Sequence, residues 1–168
     1  MKVEYINPFL TSALSAFDTM LGWKLRRGAL HIKQNSQPHL EVSGVIGLSG
    51  KVEGLVVLGI DREAALKATE IMLQERPPEI NGDVVDAVGE LTNIVAGGAK
   101  RHLEEFDLSI SLPTVICGRS HTIQFPSRVT PICIPFESEF GPISVEVGFA
   151  EHPGLESAEH LAAAEVGS

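Results

Sequence analysis

The stretch HLEVSGVIGLSGKVEGLVVLGID, residues 39–61, is the part of the sequence that decides the class of fold. It contains two short runs of Val, Leu and Ile, and such runs are typical of β-strands. The tetrapeptide LSGK separates the runs, and Ser49 and Gly50 within it are residues that tight turns favour. We therefore predict a β-hairpin that turns at Ser49 and Gly50. Its glycines are predicted to serve the turn and not a phosphate-binding loop.

Helices are predicted on both sides of this hairpin. Residues 8–22 carry apolar side chains at helical spacing, and Asn7 followed by Pro8 predicts an N-cap and a first helical residue. Asp61 is predicted to cap a second helix over about residues 62–74, which two consecutive prolines would end. A short strand is predicted near GALHIKQ, between the first helix and the hairpin.

A third helix is predicted to open at Asn81 or Asp83 and to run to about Glu105. Four segments rich in Ile, Val and Phe follow it and are predicted to contain strands. They are DLSISLPTVICG, HTIQF, TPICIPFES and ISVEVGFA. The FGP tripeptide at residues 140–142 lies between the last two segments, which predicts a second hairpin.

The predicted elements follow the order helix, strands, two helices, strands. Because the helices are apolar on one side and neighbouring strands are joined by tight turns, we predict an α+β fold. Its form is a two-layer sandwich with the helices on one face of a largely antiparallel sheet. Residues 1–150 are predicted to form one domain, since no linker interrupts them. Residues 151–168 hold few large apolar side chains and are predicted to be a loosely ordered C-terminal tail.

Charge and hydropathy exclude several classes of partner. The formal net charge of −9 argues against nucleic acid, because phosphate backbones require basic surfaces. Lys24, Arg26 and Arg27 form a small basic cluster that is predicted to be solvated turn surface. The N-terminus has no signal-peptide pattern, and no apolar run is long enough to span a bilayer. We expect a cytoplasmic protein that binds no membrane.

Cysteines and histidines give no sign of a metal site or of a nucleophile. Cys117 and Cys133 lie in apolar runs without a CxxC spacing, and both are predicted to be buried, reduced thiols. The six histidines are scattered, and none pairs with a Cys or carboxylate at a convincing metal-ligand spacing. We expect them to be surface or structural residues.

The third helix carries a polar stripe. Asp86, Glu90, Asn93 and Gly97 fall within roughly a 60° arc of a helix with 100° between residues. The opposite arc holds Val84, Val88, Leu91, Val95 and Ala99. The stripe is therefore predicted to face solvent or a partner. Gly97 and Gly98 weaken a helix by about 1 kcal/mol each, which has two alternative explanations. Either the third helix packs closely on the sheet, at Gly98 especially, or Gly97 allows another backbone to approach the stripe.

The segment DAVGELTNIVAGGAKRHLE, residues 86–104, resembles the signature helix of the CheC/CheX family of chemotaxis phosphatases, and is most similar to its CheX branch. The family pattern is Asp or Ser, three residues, Glu, two residues, Asn, and Asp86, Glu90 and Asn93 match it. Three flanking segments are also similar to the family, in the same order along the chain. They are NPFLTSAL, GLSGKVEGLVVLG and SLPTVICGRSH.

The resemblance implies a phosphatase that hydrolyses the aspartyl phosphate of a CheY-like response regulator. By similarity, the catalytic pair is Asn93, which would orient the attacking water, and Glu90, which would pair with a basic residue of the regulator. A carboxamide donates and accepts hydrogen bonds at once, which suits the holding of a water. The resemblance also implies a Mg²⁺ ion in the regulator, no cofactor in this chain, and a homodimer.

Other features of the stripe leave alternatives open. Asp86 is predicted either to contact the partner or to support the first helical turn, and Gly97 is predicted to bind the partner.

Glu4 and Asn7 repeat the Glu-x-x-Asn spacing, but Asn7 is better interpreted as a cap, so one site is expected. The alternative function is a non-catalytic adaptor that uses the same helix to bind a receiver domain or to dimerise. An adaptor would not require a water-orienting amide.

Overall fold

The computed structural model describes residues 1–34 and 38–153, which form three α-helices and eight β-strands. The helices are α1 (Val3–Leu21), α2 (Arg62–Leu73) and α3 (Gly82–Lys100). The strands are β1 (Arg26–Arg27), β2 (His31–Ile32), β3 (Val42–Ser49), β4 (Val52–Ile60), β5 (Ser109–Ile110), β6 (Thr114–Cys117), β7 (Ile132–Ser138) and β8 (Gly141–Glu151). A short 3-10 turn, Glu104–Phe106, lies between α3 and β5.

The strands of the described residues form one antiparallel sheet in the order β1-β7-β8-β4-β3-β5. Strand β2 also pairs with β7, and β6 pairs with β3 beyond the end of β5. The three helices pack on one face of this sheet, where their apolar sides and the inward side chains of the strands form the main core. The α+β sandwich predicted from the sequence is confirmed.

Both predicted hairpins are present. Strands β3 and β4 pair from Val42 opposite Ile60 to Leu48 opposite Gly54, and the turn between them contains Ser49 and Gly50. Strands β7 and β8 pair up to the Ser138–Gly141 position. Gly141 there has a φ of +129°, a conformation that residues with a Cβ rarely adopt.

A second, smaller apolar cluster lies on the other face of the sheet. Val57 alternates with the core residues of β4, so its side chain points away from the helices and contacts Phe125 and Val129. The segment HTIQF, predicted to contain a strand, forms none in the structure. Its alternating apolar residues cover the outer face of the sheet instead, and alternation alone does not distinguish these two arrangements.

The start of α1 differs from the prediction. The helix begins at Val3, after Lys2, and Asn7 is an exposed residue inside it instead of its N-cap. Pro8 therefore lies within the helix, where it removes one backbone donor. Buried Ile6 and Phe9, on either side of the proline, hold this part of α1 on the core, and tertiary packing outweighs the local cost.

The other helix ends follow the predictions more closely. Asp61 caps α2 by accepting a hydrogen bond from the Glu63 backbone, and Asn81 is the N-cap of α3. Helix α3 ends at Lys100, five residues before the predicted end, because the chain turns there so that Leu103 and Phe106 enter the core.

Three further predictions concern the termini and the charged cluster. The basic pair at residues 26–27 is exposed, but it forms β1 against β7 and not a turn. The loose tail is predicted over residues 151–168; its first residue, Glu151, belongs to β8, and residues 154–168 lie outside the described residues. Within the described ranges, no helix combines the length and the apolar character needed to cross a bilayer.

Candidate functional site

Helix α3 orients the predicted site by burying one side completely. The Asn81 side chain accepts hydrogen bonds from the backbone N–H groups of Asp83 and Val84, which fixes the start of the helix. All members of the predicted core arc are buried with no measurable exposure. They are Val84, Val88, Leu91, Val95 and Ala99. The opposite side of the helix is consequently the one that the protein presents outward.

The polar stripe is exposed, as predicted. Asp86, Glu90 and Asn93 are all accessible to solvent, and Gly97 is partly exposed. In the described part of the chain neither carboxylate has an ion-pair partner, and the Asn93 amide makes no hydrogen bond. An unpaired amide and an unpaired carboxylate three positions apart are both available to a visiting molecule.

Asn93 stands between two grooves. One groove, of about 340 Å³, lies between α3 and the segment that joins β5 to β6, and Asp86, Glu90 and Asn93 line one of its walls. The other, of about 500 Å³, lies between α3 and α1, with Asn93 and Gly97 on its wall. Asn93 is therefore on the crest that separates them, while Glu90 faces the first groove only.

Two close contacts hold α3 in place directly behind this crest. Thr92 donates a hydrogen bond to the Val88 carbonyl at 2.6 Å, and its side chain fills the space that a Cβ at Gly44 of β3 would need. Ser12 of α1 donates to the Val95 carbonyl at 2.8 Å. The backbone on both sides of Asn93 is thus tied to the sheet or to α1.

The two adjacent glycines have different surroundings. A Cβ at Gly98 would overlap the hydroxyl of Ser12, so Gly98 allows α1 to approach α3. The prediction that Gly98 packs on the sheet is wrong, because its close contact is with Ser12 of α1. An added Cβ at Gly97 would have no neighbour within 4 Å. No packing inside the described chain therefore requires glycine at this position.

The position of Asp86 bears on its two predicted roles. Helix α3 begins at Gly82, and its first-turn acidic residue is Asp83. Asp86 lies in the second turn, where the helix dipole has little effect on a charge. Its carboxylate lines the 340 Å³ groove together with Glu90, and no basic residue is among the described residues that form this groove. Asp86 therefore does not support the helix start, and its carboxylate is accessible from the groove.

Comparison with known proteins identifies the family to which this chain belongs. The family described as chemotaxis phosphatase CheX matches residues 42–137, which include α3 and the β3–β4 hairpin. The chain belongs to the CheX family.

Individual relatives agree with this assignment. CheY-P phosphatase CheX from Thermotoga maritima is 28% identical over 149 residues, which are 83% of this chain and 94% of the relative. The crystal structure of chemotaxis protein CheX from Vibrio vulnificus is 38% identical with a TM-score of 0.81, covering 88% of this chain and 99% of that one. A CheX-CheY-BeF3-Mg²⁺ complex from Borrelia burgdorferi contains a chain that is 26% identical with a TM-score of 0.76, covering 89% of this chain and all of that one.

One exposed residue of the groove beside Glu90 could not be predicted from the sequence. Leu112 lines the 340 Å³ groove opposite α3 and is 88% exposed. It lies between the short strands β5 and β6, where neither a helical nor an alternating pattern assigns a direction to a side chain. The only signal was its place in SLPTVICGRSH, one of the segments that resemble the family.

A buried ionic cluster lies apart from both grooves. The Glu146 carboxylate of β8 contacts His39 at 2.7 Å and Lys33 at 3.0 Å, so this histidine is structural, as predicted. Burial alone would raise the pKa of Glu146, but hydrogen bonds and charge from His39 and Lys33 together lower it. Burial, with a smaller effect of Glu146, raises the pKa of the neighbouring Cys133 thiol to about 11.

The predictions for the cysteines are partly confirmed. Both thiols are free, and Cys133 is buried. Cys117 is exposed, against the prediction, because it ends β6 where this strand forms the margin of the sheet beside β3. Burial of part of the side chain, and then the charge of Glu41, raise the pKa of the Cys117 thiol, which disfavours the nucleophilic thiolate.

Proposed function

We propose that this chain hydrolyses the aspartyl phosphate of a CheY-like response regulator, and that Glu90 and Asn93 enter the active site of the regulator together. The observation that carries the proposal is the exposed, unpartnered Glu90–Asn93 pair on the outer side of α3. It occurs in a member of the CheX family, one of whose relatives is the CheY-P phosphatase of Thermotoga maritima.

Asn93 orients the attacking water in this proposal. Its amide can accept a hydrogen bond from the water through the oxygen and donate another through the nitrogen, but it is no general base. The water oxygen bonds to phosphorus while the bond from phosphorus to the aspartyl oxygen breaks. A free carboxylate and inorganic phosphate result, and the protons of the water leave on the phosphate. The gain in rate comes from positioning, which can lower a barrier by several kcal/mol.

Glu90 fixes the docking geometry. Its carboxylate has no ion-pair partner in the described chain and lines a groove that lacks basic residues, so it is free to meet a lysine or arginine of the regulator. Asp86, in the same groove, adds negative charge for this contact. Gly97 supports the proposal because the absence of a Cβ leaves room for a partner backbone beside Asn93.

The metal that the reaction requires is assigned to the regulator. Among the described residues, no group of three or more His, Cys, Asp or Glu side chains could hold a metal ion. A relative's complex from Borrelia burgdorferi contains CheY, BeF3 and Mg²⁺. In our proposal the Mg²⁺ bound by the regulator neutralises phosphoryl charge, and this chain contributes no cofactor of its own.

The decisive experiment follows the loss of radiolabelled phosphate from CheY-type receivers in the presence of Mg²⁺. Wild-type protein should accelerate the loss from at least one of them. Asn93→Ala should abolish the acceleration while binding to the BeF3-treated receiver is kept, and Glu90→Ala should weaken both binding and rate. If Asn93→Ala is as fast as the wild type, the assigned role of the amide is wrong. Binding without acceleration by the wild type would favour the adaptor function.

We further propose, from the resemblance to CheX, that the chain acts as a cytoplasmic homodimer. The chain mass is 18.0 kDa, so light scattering in solution should give twice this value. A mass equal to one chain at micromolar concentration would reject the dimer without affecting the assignment of Glu90 and Asn93.

A further inference from the structure

The groove beside Glu90 contains an exposed apolar side chain. Leu112 is 88% exposed, which is the highest value among the exposed large hydrophobic side chains of the described residues. The other strongly exposed apolar side chains, Val3, Ile32 and Leu73, do not line this groove. A single exposed leucine is ordinary on a protein surface, so the position of Leu112 has to be considered together with its surroundings.

The backbone around Leu112 is held firmly. Ser111, the preceding residue, donates its N–H to the Gly47 carbonyl at 3.0 Å, and its hydroxyl oxygen accepts the Gly47 N–H at 2.8 Å. The Ser111 hydroxyl also donates to the Leu112 carbonyl at 3.0 Å. Pro113 follows, which restricts the backbone, and β6 pairs with β3 from Thr114 onward. Leu112 is therefore presented outward on an ordered segment.

The groove offers Leu112 an apolar floor and an acidic wall. Val85 and Gly89 of α3 lie opposite Pro113 and Val115, and none of these four is strongly exposed. Asp86 and Glu90 stand on the α3 side of the groove. The surface thus combines a protruding apolar group with two unpaired negative charges. A complementary surface needs an apolar depression next to a positive charge.

We propose that Leu112 is the apolar anchor with which this chain docks on the phosphorylated receiver domain. The proposal rests on the function proposed above and deepens it, because it names the feature of the receiver that is recognised. Leu112 enters an apolar depression that lies beside the basic residue met by Glu90, and this depression borders the phosphorylated aspartate. Asn93 lines the same groove, so an occupant that reaches the amide through this groove also covers Leu112.

Substitution of Leu112 should change binding without changing the chemical step. Leu112→Ala should raise Kd for the BeF3-treated receiver, and KM for its phosphorylated form, by about tenfold, the usual effect of truncating a buried anchor at an interface. The value of kcat should stay within about twofold of the wild type, since the side chain does not touch the reacting atoms. Leu112→Met should restore most of the binding, because methionine has a similar volume and is also apolar.

The matched control is Leu73→Ala on α2, another leucine that is 49% exposed but lies outside the groove. It should leave Kd, KM and kcat unchanged. Thermal melts should show that Leu112→Ala folds like the wild type, since the side chain removed has little buried area.

The outcomes separate this inference from the proposed function. A rise in KM and Kd with kcat retained supports the anchor. Wild-type KM and Kd in Leu112→Ala, or a fall in kcat alone, would overturn the anchor while inactivity of Asn93→Ala still upheld the phosphatase. If the wild type accelerates hydrolysis in no CheY-type receiver, the proposed function fails, and the anchor fails with it.

Discussion

Replacement of Gly97 by alanine should make the protein more stable and a poorer phosphatase. An added Cβ at this position has no neighbour within 4 Å, so the folded chain accommodates it without movement. Alanine is favoured over glycine in a helix by about 0.5–1 kcal/mol, because glycine loses more backbone freedom on folding. For a chain of this length, that gain corresponds to a rise in Tm of about 1–4 °C.

The adjacent glycine provides the control. A Cβ at Gly98 would overlap the Ser12 hydroxyl and disturb its 2.8 Å hydrogen bond to the Val95 carbonyl. The loss of that bond costs about 1 kcal/mol, which offsets the gain in helix propensity. Gly98→Ala should therefore show an unchanged or lower Tm.

Thermal unfolding and phosphatase kinetics, measured on the same samples, test the reasoning about Gly97. If the position is open so that a partner backbone can approach Asn93, Gly97→Ala should raise KM several-fold even though the protein is more stable. A lower Tm would show that the space around Gly97 is not open. A higher Tm with unchanged KM would show that Gly97 is not part of the docking surface.

Three further predictions follow from other contacts. Asn7→Ala should retain full activity where Asn93→Ala has none, since Asn7 shares the Glu-x-x-Asn spacing and the exposure but lines neither of the two grooves that Asn93 separates; loss of activity in Asn7→Ala would indicate a second site. Glu146→Gln should destabilise the protein by about 3 kcal/mol at pH 7, because it leaves the largely buried Lys33 ammonium without its counter-charge; since the folded pKa of Glu146 is lowered from 4.5, this difference should shrink as pH falls below 4.5 and through the folded pKa, as measured by urea unfolding. Gly44→Ala should lower stability by about 1–3 kcal/mol, since its Cβ would overlap Thr92, and an unchanged urea midpoint would contradict that contact.

The sequence predicted correctly those elements whose structure depends on a local pattern alone. The β3–β4 hairpin follows from two apolar runs around Ser49 and Gly50, and the buried side of α3 follows from its helical period. The start of α1 could not be found in this way, because Pro8 is a good first residue of a helix and is tolerated inside α1 only through the packing of Ile6 and Phe9.

The candidate site also contains residues that a local pattern predicts and residues whose position depends on long-range contacts. The exposure of Glu90 and Asn93 could be predicted because they share one side of a regular helix, and the structure places both in the open. Leu112 could not be predicted, because its exposure is set by long-range pairing of the flanking strands with β3, not by its own neighbours in sequence. The close approach of α1 at Gly98 was also assigned to the wrong partner, since a glycine indicates a close contact without naming it.

The rigidity of α3 matters because, in the proposed reaction, this chain contributes mainly by positioning a water molecule. A carboxamide supplies neither a proton-accepting base nor a nucleophile, so its contribution depends on where it holds a water. A misplacement of about 1 Å can cost a hundredfold in rate. The fold places the Thr92–Gly44 and Ser12–Val95 contacts directly behind Asn93, and it leaves the outer side unoccupied. A substitution that loosens either contact should therefore lower kcat even when the protein remains folded. Changes on the outer surface of the groove should instead raise KM.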